Sequence, residues 1–148
     1  MRLLQNNSTY IKFIDYINNH SICMLRTALA IVYIWFGGLK IIGTSPAEEL
    51  VTNTVYWWKP EIFLPLLGIC EVLIGLGLLI KKLIPFTILL LLMHMMVTFF
   101  PVFILKKTCF DIFPVVPTLV GQYIIKNIVL ITGALVVLSK FNTVKNRS

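Results

Sequence analysis

Four stretches of this chain are too long and too apolar to be stable in water. Residues 22–42, 62–80, 83–105 and 119–139 each offer the ~20 residues a helix needs to cross a hydrocarbon core of roughly 30 Å. The first carries Arg26 and Lys40 near its ends and the second is interrupted only by Glu71. The third has no formal charge but contains His94, and the fourth carries Lys126. Strands of a membrane barrel would alternate apolar and polar residues, and the run Ile88-Leu89-Leu90-Leu91-Leu92-Met93 does not. The composition agrees: 58% of the 148 residues are apolar and 13% charged, against roughly half and a quarter in soluble domains. The expected fold is all-α, an integral membrane four-helix bundle in a single domain.

Charge sets the orientation. The net charge of +7 comes from 13 Lys and Arg scattered between apolar runs, which argues against a nucleic-acid-binding face. With the N-terminus cytoplasmic, that side holds Arg2, Lys12, Lys81, Lys82, Lys140, Lys145 and Arg147, and the other side holds Lys59, Lys106 and Lys107. Basic loops stay inside, so both termini are expected in the cytoplasm. Residues 1–21 lack the apolar core and cleavage site of a signal peptide and are expected to form a cytoplasmic amphipathic segment. Within it Tyr10, Phe13, Ile14 and Ile17 share one helical face over 8–18, as in a helix lying on the membrane surface. Ser45-Pro46-Ala47-Glu48 reads as an N-cap, a first-turn proline and a capping-box glutamate, predicting a short outer interfacial helix over 46–56. Residues 106–118, with Pro114 and Pro117, read as a turn-rich outer loop, and 140–148 as a cytoplasmic tail.

Helical spacing gathers the polar residues of each span into a stripe. Arg26, Ala30, Tyr33, Gly37 and Lys40 fall at steps of three and four, as do Gly68, Glu71 and Gly75. Thr87, His94, Thr98 and Pro101 share a face of the third span, and Gln122, Lys126 and Gly133 of the fourth. Small residues allow close helix approach and intramembrane charges face the protein interior. The four stripes are therefore expected to meet in the bundle centre, with Gly37, Gly68, Gly75 and Gly133 as packing residues. An ionised Glu71 at midplane needs a partner. Lys126 and His94 are nearest in depth, and Arg26 could reach from below. Arg26, Lys40 and Lys126 against Glu71 leave an excess of positive charge, which favours an anion, or a neutral ligand that turns anionic on reduction, such as a quinone.

Structural readings stand beside these. Arg26 and Lys40 are placed to snorkel to the two interfaces. A Glu71–Lys126 pair could only set helix register, and His94 could be a packed core histidine. Cys23, Cys70 and Cys109 lie at different depths and form no Cys-x-x-Cys pair, so neither a disulfide relay nor a metal site is expected.

Arg26 with Trp35-Phe36-Gly37-Gly38-Leu39-Lys40 resembles the opening helix of DoxX-like membrane proteins, a group that includes the YkgB type. Gly68-Ile69-Cys70-Glu71 through Gly75 is similar to their second helix, and Gly121-Gln122-Tyr123-Ile124-Ile125-Lys126-Asn127 to the start of their last. Asn127 stands where the YkgB type would have aspartate, so the resemblance is to the broad group. It implies a four-helix bacterial inner-membrane protein, in some members a small subunit of thiosulfate:quinone oxidoreductase and in others one linked to oxidative or reactive-chlorine stress. The candidate ligand-binding residues are Arg26, Tyr33, Lys40, Glu71, His94, Gln122, Lys126 and Asn127. The first functional expectation is a quinone-interacting or redox-associated subunit, with a partner protein or added cofactor carrying the electrons. A proton-coupled transporter for an acidic metabolite, acting as a homo-oligomer, and a structural or assembly subunit are the alternatives.

Overall fold

The computed structural model describes residues 8–145, with side chains to Phe141. Arg2 and Arg147 of the charge bias lie outside the described residues, as does the side chain of Lys145. Among the described residues four helical passages are long and apolar enough to cross a membrane: Ser8–Ile41, Pro60–Leu79, Lys81–Ile104 and Leu119–Phe141. This is a multi-pass membrane protein. Its outer surface suits lipid, with Ile31, Trp35, Leu73, Phe86, Met96 and Val129 all exposed.

Helix α1 (Ser8–Ile41) is one unbroken rod of 34 residues. The expected surface segment over 8–18 is helical, but it forms the opening turns of the first passage instead of a separate element. No glycine or proline occurs before Gly37 to break the helix. Side chains near residue 20 also bond back to the helix: His20 Nδ1 lies 2.9 Å from the Tyr16 carbonyl and the two rings stack. The helix ends in a Schellman-type turn, with Gly43 at φ +70° and the Thr44 amide donating to Leu39 O at 3.0 Å.

Helix α2 (Glu48–Thr54) is shorter than 46–56, and its start differs from the predicted capping box. Ser45 Oγ accepts from the Ala47 amide, while Glu48 donates its amide to the Ser45 carbonyl. That turn uses Ser45 one step early, so the helix begins after Pro46. Helix α3 (Pro60–Leu79) starts on Pro60, whose missing N–H costs nothing in the first turn. A 3-10 turn (Lys81–Leu83) leads into α4 (Ile84–Thr98) and then α5 (Phe100–Ile104). The third passage is thus broken at Phe99, where Pro101 cannot continue the backbone ladder.

The loop over 106–118 is more ordered than its composition implied. It holds a single turn, α6 (Lys106–Cys109), and a two-stranded antiparallel hairpin, β1 (Phe110–Ile112) with β2 (Val116–Pro117). Phe110 pairs with Pro117 and Ile112 with Val116, around a cis Phe113–Pro114 bond. Thr118 locks this cap: its hydroxyl donates to Thr108 O at 2.7 Å and accepts from the Gly121 amide at 3.2 Å. Helix α7 (Leu119–Ile125) then meets α8 (Asn127–Lys145) at Lys126.

Helices α1 and α3 make the most extensive contact. A Cβ on Gly37 would lie 2.6 Å from Gly68 O, and one on Gly68 equally close to Gly37 O. Gly75 faces Ile34 and the Ala30 carbonyl in the same way. Gly133 is less crowded, its nearest neighbour being the flexible end of Leu25. The main core joins Leu29, Ala30 and Tyr33 of α1 to Ile74 and Leu78 of α3, Ile88 and Leu91 of α4, and Ala134 and Val137 of α8.

Candidate functional site

Glu71 holds the centre of the bundle. Its Oε2 accepts from Lys40 Nζ at 2.6 Å, and its Oε1 lies 3.0 Å from His94 Nε2. All three residues are buried. An ionised carboxylate only accepts, so the hydrogen between Glu71 and His94 belongs to Nε2. The imidazole then keeps Nδ1 as its basic nitrogen. Three passages contribute one member each.

The glycine contact explains why Lys40 is the partner. Gly37 and Lys40 are three residues apart, as are Gly68 and Glu71. A Cβ at Gly68 would lie 2.9 Å from the Lys40 Cβ, and one at Gly37 would lie 2.9 Å from the Glu71 Cβ. The missing side chains let each charged residue lie against the opposite backbone, one turn from its partner. Lys40 therefore does not snorkel. Lys126 does not pair with Glu71 either; its ammonium sits over the Tyr123 ring, 4.0 Å from the centroid. Arg26 does not reach the cluster, and its buried Nε has no hydrogen-bond partner. Lys40 and Glu71 cancel and Arg26 lies apart, so the centre keeps only the charge of Lys126, less than counting residues implied.

A cavity of 440 Å³ opens beside this cluster. Tyr33, Lys40, Glu71 and His94 border it, and so do Lys126 and Asn127. Its remaining wall is mainly apolar, including Val32, Phe36, Leu67 and Leu130. Tyr33 is 3% exposed, packs edge-on against the His94 ring, and has a hydroxyl without a hydrogen-bond partner among the described residues. Gln122 borders a second space of 510 Å³ between α2 and α7, while Arg26 borders neither.

Sequence reasoning missed the part played by α2. Ala47, Leu50, Val51 and Thr54 border the cavity, as does Tyr123 of α7. Both were detectable: the α2 residues recur at helical spacing, and Tyr123 lies three residues before Lys126. Among the described residues no group of His, Cys, Asp and Glu is arranged to hold a metal ion.

A family model described as DoxX matches residues 21–104, more than half of the chain. The chain belongs to the DoxX family. The matched DoxX stretch contains Tyr33, Lys40, Glu71 and His94, whereas Tyr123, Lys126 and Asn127 fall beyond it. No curated protein and no solved structure matches the chain. Within this DoxX protein the cluster can hold a proton in three ways: on Lys40, on Glu71, or on His94 Nδ1 while Glu71 balances the imidazolium.

Proposed function

We propose that this DoxX protein lies in the bacterial inner membrane with both termini cytoplasmic, binds a quinone in its central cavity, and exchanges protons with it within a membrane redox or stress-response complex. The observation that carries this reading is the Lys40–Glu71–His94 cluster on the wall of an otherwise largely apolar cavity. The basic bias of the loops supports the orientation.

The residues fit a quinone. Apolar walls suit its ring and tail, and the buried Tyr33 hydroxyl offers a donor that no group among the described residues uses. A bound quinone would supply the redox chemistry, with its two electrons coming from a partner oxidoreductase and its two protons passing through the protein. The protein's own residues manage the protons. His94 takes up and releases protons one at a time at Nδ1, Glu71 balances the charged ring, and Lys40 pairs with the other oxygen of Glu71.

Protein purified in mild detergent tests the reading by mass spectrometry and absorbance. Wild type should retain quinone in stoichiometric amount, and Glu71→Gln should lose it. Quinone retained equally by Glu71→Gln, or absent from wild type, removes the proposal.

The second cavity favours one other reading, proton-coupled transport of an acidic metabolite. It shares Ala47, Leu50, Tyr123 and Lys126 with the first and so extends the central space between α2 and α7. Uptake into proteoliposomes that is driven by a pH gradient and abolished in Glu71→Gln would select it.

A further inference from the structure

Four ionisable residues with a nitrogen base or carboxylate border the central cavity: Lys40, Glu71, His94 and Lys126. The first three satisfy one another. Lys126 forms no ion pair among the described residues, and its ammonium has only the face of Tyr123. It is also the one charged residue bordering the space between α2 and α7, so it stands where the two cavities share a wall. Lys126 is exposed on the protein surface, but it lies within the fourth membrane-crossing passage, where an unpaired charge is costly, and the described residues supply no counter-charge there. The same cavity is bordered by Tyr33, whose ring packs edge-on against His94 and whose hydroxyl has no hydrogen-bond partner among the described residues.

We infer that the cavity is built for an aromatic ligand carrying one ionised acidic oxygen, which pairs with Lys126 while a neutral oxygen is held near Tyr33 and His94. This rests on the quinone reading and narrows it to acidic quinones and related aromatic acids. Lys126 selects the ligand and Asn127, bordering the same cavity, adds a neutral polar contact. The Tyr123 ring holds the ammonium in place by cation–π attraction when the anion is absent.

The test compares two small probes that differ in charge. 2-Hydroxy-1,4-naphthoquinone is ionised at neutral pH, and 2-methyl-1,4-naphthoquinone is neutral. Binding to the full chain in uncharged detergent is read from quenching of its intrinsic fluorescence. Lys126→Gln should weaken the anionic probe by about fivefold or more, the scale of a partly exposed ion pair, and change the neutral probe less than twofold. Lys126→Arg should restore the anionic probe, and added salt should weaken it in wild type only. Equal losses for both probes, or no loss for the anion, overturn the inference. Wild type that binds only the neutral probe overturns it while leaving the quinone reading standing; wild type that binds neither overturns both. Displacement of the anionic probe by phosphatidylglycerol but not by phosphatidylcholine would assign Lys126 to a lipid phosphate and overturn the aromatic assignment.

Discussion

At the scale of residues, the site is a carboxylate satisfied on both oxygens beside a phenol satisfied on none. The two cases predict opposite responses to mutation. Glu71→Gln leaves Lys40 buried without a counter-charge, and loss of one member of a buried pair costs roughly 3–5 kcal/mol. Thermal unfolding in detergent should show a correspondingly large fall in midpoint. Adding Lys40→Met to Glu71→Gln should recover part of that loss, so the double variant should melt above the single one. Tyr33→Phe removes a buried hydroxyl that lacks a partner, and such a group costs about 1–3 kcal/mol. The ligand-free Phe variant should therefore melt at or above the wild-type temperature and yet bind quinone more weakly. A Tyr33→Phe protein that is destabilised would show that the hydroxyl has a structural partner.

At the scale of elements, α1 and α3 act as one unit because their backbones meet at glycine. Gly37→Ala or Gly68→Ala places a methyl group 2.6 Å from a facing carbonyl oxygen, and overpacking of this kind costs typically 1–3 kcal/mol. Gly38 is the internal control, since a Cβ there meets nothing within 4 Å and Gly38→Ala should leave the midpoint nearly unchanged. The cap at the hairpin end gives a second check. Cys109 is fully buried and burial pushes its thiol pKa up, so its thiolate fraction at neutral pH lies below that of a free cysteine. A water-soluble maleimide should modify it slowly in the folded protein, faster as pH rises, and readily after unfolding. Gly121→Ala, whose new methyl group would collide with the Cys109 carbonyl, should speed that modification under native conditions. Much of this was legible in the sequence. The step of three between Gly37 and Lys40, repeated at Gly68 and Glu71, put both charges on their inward faces. The choice of Lys40 over Lys126 was not legible, because depth counted along separate straight helices ignores how closely two of them approach. The stripe of His94, Thr98 and Pro101 was legible too, since all three border the cavity even though the helix breaks at Phe99 before Pro101. The cavity roof escaped notice because α2 is too short to cross and was read as an interfacial element only.

At the scale of the whole molecule, the described residues make four passages, and the site needs three of them. Helix α1 alone is about 51 Å long at 1.5 Å per residue, well beyond a hydrocarbon core of roughly 30 Å. The division of the site has a consequence in time as well as in space. The chain emerges from its N-terminus, so Lys40 and Glu71 reach the membrane before His94 does. The hairpin of α1 and α3 is already electrically neutral at its centre, and the glycine contact is already complete. A chain ending after Lys82 should therefore insert as efficiently as the full protein in a protease-protection assay, while Lys40→Met in that same fragment should lower insertion by leaving Glu71 alone. The ion pair that borders the cavity is first a way for two charges to enter lipid at lower cost together than apart.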